Sequence, residues 1–251
     1  KRGGDINLSV GGGLEEGGAL AAVSQGITTI IAGQDGGSPL PLSDFFTRME
    51  TATVSVNVAA YVGHNSIRRR VMGDDFRREA TLEEIEEMKV LLERELESGA
   101  LGLSTGLEYD PGIYSSTDEV VELARSAASV GGRYISHMRS EDRAFFSALE
   151  ELLHIGRETG IPVQVSHMKL AMKSLWGETG RVLSMLDAAR EEGINVTADV
   201  YPYEFWQSTM TVLFPGREFT REAATFALEE LAPPEGMFIA AFGADPSYVG
   251  M

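Results

Sequence analysis

At 251 residues the chain is long enough for one sizeable core, and an α/β barrel of this length is an ordinary single domain. Its 21 Lys and Arg against 38 Asp and Glu give a net charge of −17, which argues against nucleic acid or an anionic membrane surface as partner. The sequence has no cysteine, which excludes a disulfide framework and thiolate metal ligation, and no apolar run approaches a membrane span. No signal-peptide pattern opens it, so a cytoplasmic location is expected. A start at Lys1 and an end at Met251 without a terminating element lead us to expect a piece of a longer chain.

In chain order, residues 1–18 are glycine-rich, with 5–10 the one strand-like run. Residues 19–25 predict a short helix ended by Gly26. Residues 27–32 are nearly all β-branched, as a strand buried on both faces should be, and the following loop carries Asp35. A helix is predicted over 42–50 and a strand over 54–62, followed by Gly63-His64-Asn65-Ser66-Ile67-Arg68-Arg69-Arg70, for which no element is predicted. Thr81 with Glu84 three residues on is a capping-box pattern, and it opens a helix to Glu97. A strand over 100–105 leads into the Gly/Pro loop 106–114, and Thr117 is expected to cap a helix to Val130.

Next comes an internal near-repeat. Tyr134-Ile135-Ser136-His137-Met138 and Val163-Gln164-Val165-Ser166-His167-Met168 are short apolar runs that each end in Ser-His-Met. Between them, residues 144–159 carry apolar side chains at helical spacing. A helical crossover makes such strands parallel, so His137 and His167 should emerge on one rim. A helix over 177–192, a strand over 194–200, a helix over 220–231 and an edge strand over 237–242 complete the reading.

Repeated βα alternation means a parallel sheet, and the expected architecture is a (β/α)8 barrel of TIM type, incomplete within this chain and lacking its last strand. An open doubly wound sheet is the alternative, but its glycine-rich fingerprint is absent. Strand ends on one rim would gather Asp35, His64, Ser104, His137, His167, Lys169, Asp199 and Tyr201. Paired strand-end imidazoles with a carboxylate suit zinc, which makes Asp35, His137 and His167 the candidate metal set. The competing reading is that the histidines cap their strands by hydrogen bonds and that Asp35 serves an Asp-Gly turn. Lys169 and the arginines at 68–70 offer cations for a substrate carboxylate, although the arginines also fit a solvated basic patch. His154 falls inside a helix and is read as structural.

Gly102-Leu103-Ser104-Thr105-Gly106-Leu107, Pro111-Gly112-Ile113-Tyr114, Ser136-His137-Met138-Arg139, Ser166-His167-Met168-Lys169 with Trp176-Gly177, and Asp199-Val200-Tyr201-Pro202-Tyr203 occur in that order. Together they resemble the N-acyl-D-amino-acid deacylases (D-aminoacylases) of the amidohydrolase superfamily. The resemblance implies a zinc-dependent (β/α)8 barrel acting on a small N-acyl-D-amino acid, with His137 and His167 as metal ligands and Lys169 and Tyr201 as substrate-binding positions. We add His64 and Arg68 to the expected substrate contacts. Three departures stand out. The family's Asp-x-His-x-His falls on Asp5-Ile6-Asn7-Leu8-Ser9, Asp35 stands where a bridging cysteine is usual, and the family's catalytic aspartate would lie beyond Met251. No catalytic residue is therefore assigned, and the flanking β-sandwich is missing. The alternative is a non-catalytic relative that binds an acylated amino acid or a protein partner.

Overall fold

The computed structural model describes residues 19–52 and 54–251. The strand expected at 5–10 lies outside the described residues. Seven strands follow in chain order: β1 (Thr29–Ala32), β2 (Asn57–Ala60), β3 (Val62–Gly63), β4 (Gly102–Gly106), β5 (Arg133–His137), β6 (Val163–Val165) and β7 (Val196–Ala198). Every pairing is parallel and each strand pairs with its neighbour in sequence, as a pair β1-β2 and a sheet β3-β4-β5-β6-β7. Only Tyr61 separates β2 from β3, and its N–H donates to Ala32 O at 2.9 Å, continuing the β1 ladder. The strand expected over 54–62 is thus one path broken by a single residue. Closure into a complete barrel is not seen among the described residues. No described helix is long and apolar enough to cross a membrane.

The helices are α1 (Leu20–Val23), α2 (Leu42–Thr51), α3 (His64–Met72), α4 (Leu82–Glu97), α5 (Thr117–Ser129), α6 (Phe145–Thr159), α7 (Thr179–Glu191) and α8 (Arg221–Phe226). Helix α4 forms as its sequence directs. Thr81 Oγ1 accepts from Glu84 N at 3.2 Å, and Glu84 Oε2 accepts from Thr81 N at 2.8 Å. Ile85, Met88, Leu92 and Leu96 then bury one stripe. Helix α5 is capped one residue earlier than expected, by Ser116, whose hydroxyl accepts from Glu119 N. The apolar face of α6, including Phe145, Leu149 and Leu152, packs into the same core as Leu103, Tyr134 and Val165 from the strands. The predicted edge strand over 237–242 does not form. That stretch is mostly exposed, and Ile239 bonds instead to Gly250 and Met251 at the end of the chain.

The stretch from His64 to Arg70, for which no element is predicted, is the start of helix α3, and this corrects two proposed substrate contacts. His64 and Arg68 are fully buried. His64 Nε2 lies 2.7 Å from Glu119 Oε1, and Arg68 Nε donates to the same oxygen at 2.9 Å. The Arg68 guanidinium also donates to the carbonyls of Phe76 at 2.6 Å and Arg78 at 2.5 Å. Burial pushes the Glu119 carboxyl up, but the His64 and Arg68 charges outweigh it and hold it below its usual range. Neither side chain is exposed to solvent, so His64 and Arg68 tie α3 to α5 from the interior. Arg69 and Arg70 are the exposed members of the run.

Three stability outcomes follow. Removing the α4 cap with Thr81→Ala should cost about 1 kcal/mol, read as a lower urea midpoint at unchanged slope. Glu84, held at about 2 chiefly by Arg78, supports the fold fully above its ordinary pKa, and that support fades as pH falls towards 2. Arg68→Met strands the buried Glu119 charge and should cost about 3–5 kcal/mol. A variant as stable as the parent would return Arg68 to the surface role first expected of it.

Candidate metal centre

The site is assembled where β1, β4, β5 and β6 end. His137 is the last residue of β5, and His167 lies two residues beyond β6. Asp35 sits in the loop after β1, and that loop crosses the end of β4. A Cβ on Gly106 would meet the Asp35 carbonyl oxygen at 2.2 Å, so only glycine lets the loop pass. Ser104 fastens the same loop, donating to Gly33 O and accepting from Gly36 N at 3.3 Å. Asp35 and His167 both hold positive φ, at 53° and 36°. Such backbone is uncommon for residues other than glycine and concentrates at functional sites. Asp199 helps hold it, for its carboxylate accepts from His167 N at 2.5 Å and from Gln164 Nε2.

His137 Nδ1 and His167 Nε2 face one another at 3.0 Å, and Asp35 Oδ1 is 3.3 Å from His167 Nε2. The opposite ring nitrogens are backed by two glutamates that the sequence reading missed. Glu108 Oε2 lies 2.8 Å from His137 Nε2, and Glu141 Oε1 lies 3.0 Å from His167 Nδ1. Lys169 Nζ donates to both oxygens of Glu141, at 2.5 and 2.6 Å. Burial pushes Glu108 up despite its histidine. Burial also raises Glu141, but His137, His167 and Lys169 outweigh it and bring it to about 2. For His167 burial favours the neutral ring, yet Asp35 and Glu141 prevail and lift it to about 10.

Two arrangements of the ring protons fit these distances. A ring N–H on His137 Nε2 is the natural donor to Glu108, and one on His167 Nδ1 is the natural donor to Glu141. With those tautomers the inward nitrogens present lone pairs to each other beside Asp35 Oδ1; with His167 Nδ1 accepting instead from Lys169 Nζ at 2.9 Å, Nε2–H points inward as a donor. In the first arrangement a proton on His167, or a divalent metal among the three atoms, relieves the repulsion. Their donor atoms all lie within 4.8 Å of one another, and one carboxylate with two imidazoles is a set that zinc accepts. Glu108, His137 and Glu141 form a second such group, but Glu141 is already committed to Lys169 and His167.

A cavity of about 190 Å³ opens beside the pair, and His137, His167, Lys169 and Tyr201 are in its walls. Lys169 Nζ lies 5.6 Å from the centre of the Tyr201 ring. The structure thus gathers Asp35, His137, His167, Lys169, Asp199 and Tyr201, with Ser104 as a strut, and excludes His64 and Arg68. His154 lies within α6. Glu108 was findable, since it ends the β4 region as Asp35 ends that of β1. Glu141 lies four residues past His137, in a stretch for which no element is predicted.

No family model matches the chain. The N-acyl-D-glutamate deacylase of Alcaligenes xylosoxydans xylosoxydans is 35% identical over 226 residues, covering 81% of this chain and 46% of that protein. The structure of an N-acyl-D-glutamate deacylase from Bordetella bronchiseptica, complexed with zinc and a phosphonate inhibitor, matches at 35% identity with a TM-score of 0.72, covering 79% of this chain and 45% of that one. A D-aminoacylase structure addressing the role of its binuclear metal centre matches at 37% identity with a TM-score of 0.67, covering 72% and 43%. The chain therefore spans less than half the length of these relatives. Over the length it spans, this chain is a homologue of the N-acyl-D-amino-acid deacylases, the D-aminoacylase family of amidohydrolases.

Proposed function

We propose that this chain carries the metal-holding part of a zinc-dependent hydrolase that cleaves the amide of small N-acyl-D-amino acids. The observation that carries the reading is the convergence of Asp35 Oδ1, His137 Nδ1 and His167 Nε2, each imidazole backed by its own carboxylate. In the reaction water supplies hydroxyl to the carbonyl carbon and a proton to the departing nitrogen, releasing a carboxylate and a D-amino acid. Zinc held by those three residues would polarise the carbonyl and bring a water towards hydroxide near neutral pH. With the ion in place, Glu108 and Glu141 keep the ring protons on the outer nitrogens and fix both ring planes, the outer support that metal-ligating histidines ordinarily have. Lys169, half-neutralised by Glu141 and beside Tyr201, is the cation for a substrate carboxylate or carbonyl oxygen. No general base is assigned among the described residues. The seven parallel strands in sequential order support a reading as part of a (β/α)8 barrel.

A second reading, a protein that binds such a molecule without turnover, is favoured by Asn7 and Ser9 standing where the family resemblance puts a histidine pair. Zinc titration of the purified chain against a chromophoric chelator separates a metal site from a purely hydrogen-bonded cluster. Asp35→Asn and His167→Gln should each weaken binding by at least about tenfold. Affinity unchanged in both variants would remove zinc from the proposal. Amino-acid release from N-acetyl-D-amino acids is expected to be slow or absent in the chain as given, because general-base assistance alone is worth about 10²–10⁴-fold. Turnover on the order of 1–10³ per second would reject that expectation.

A further inference from the structure

The cavity has two chemically different walls. One is polar, built from the histidine pair, Glu141 and Lys169. The other is made by Tyr109, Tyr203, Phe205, Trp206, Val212 and Leu213. Residues 201, 203 and 205 alternate along a stretch without regular secondary structure, and their rings stack in series. The Tyr201–Tyr203 centres are 6.4 Å apart at 26°, and the Tyr203–Phe205 centres are 5.9 Å apart at 27°. Tyr203, Phe205 and Trp206 nevertheless remain 43%, 65% and 38% exposed. Large aromatic surface left open beside a polar centre is the usual mark of a binding groove.

The charges point the same way. Glu108, Glu141 and Asp142 all line the cavity, and Asp142 Oδ2 is buried with no hydrogen-bond partner, its nearest cation being Arg143 Nε at 3.7 Å. Lys169 is the only Lys or Arg among the described residues in its walls, and Glu141 already grips it with both oxygens. The α-carboxylate of one amino acid can share that cation. A second carboxylate would lie among Glu108, Glu141 and Asp142 and find no further Lys or Arg in these walls among the described residues. An apolar group would instead cover the rings and expel water from them.

Resting on the deacylase reading of the same site, we propose that this cavity takes an uncharged, apolar arm of an N-acylated amino acid and disfavours an acidic one. The arm is either the amino-acid side chain or the acyl chain. Calorimetric titration of the zinc-supplemented chain with four ligands decides the matter. N-acetylglycine carries neither arm, N-acetyl-D-phenylalanine an apolar side chain, N-octanoylglycine an apolar acyl chain, and N-acetyl-D-glutamate an acidic side chain. One or both apolar-armed ligands should bind at least about tenfold more tightly than N-acetylglycine, and which one does so identifies the source of the arm. N-acetyl-D-glutamate should bind no more tightly than N-acetylglycine. Phe205→Ala and Trp206→Ala truncate exposed rings that the core does not need, and they should remove most of the apolar preference while leaving N-acetylglycine binding intact. The proposal is overturned if N-acetyl-D-glutamate is the tightest ligand, or if neither apolar arm improves on N-acetylglycine. A preference untouched by both truncations overturns it as well. Absence of binding by all four ligands instead sinks the deacylase reading, and this inference with it.

Discussion

Two imidazole nitrogens held 3.0 Å apart, with Asp35 Oδ1 3.3 Å from one of them, form a cluster of acceptor atoms that needs a proton or another cation among them. The organisation of the rim answers to that constraint. Strands β5 and β6 deliver the rings from adjacent positions in the sheet. Asp199 restrains the backbone at His167, and Ser104 with Gly106 lets the Asp35 loop close over β4. Glu108 and Glu141 add negative charge behind the rings, so the centre is electrostatically prepared for a cation. A proton satisfies it, as the elevated His167 indicates, and a divalent metal does so at the same lone pairs.

The same residue types serve a different end a short distance along the chain. His64 with Glu119 repeats the histidine–carboxylate contact seen at His137 with Glu108, yet Arg68 completes the first pair and solvent never reaches it. Chemistry is decided here by access and by the third partner. The buried trio spends its electrostatics on joining α3 to α5. The rim keeps Asp35 Oδ1 beside the paired rings and opens onto a cavity.

Much of this was legible in the residues. Period-two strands alternating with 3.6-period helices announced a parallel α/β sheet, and the paired Ser-His-Met ends announced the histidines. What escaped notice was set by tertiary context. The run from His64 to Arg70 is dominated by three arginines, and nothing local marks His64 and Arg68 as buried, because their partner is the carboxylate of Glu119, 51 positions after Arg68. The end of the chain near Phe238 has strand-like composition but no neighbouring strand to pair with among the described residues. Glu108 shares with Asp35 a place just past a strand end, but Glu141 belongs to a loop where no periodicity marks a side chain as inward-facing, so its role emerges only from the distance to the ring. Lys169 and Tyr201 could be named beforehand because each closely follows a strand end.

The left-handed turn at Asp35 makes that position selective twice over. Its side chain must offer an oxygen or other donor to the centre, and its backbone must rest at φ 53°, which aspartate and asparagine tolerate better than most residues. Exchange for a longer acid or a thiol therefore carries a conformational cost of roughly 1–2 kcal/mol before any question of ligation arises. Ligand identity and loop shape are coupled at this one residue. A change in metal preference that begins there must reshape the turn as well as the donor atom.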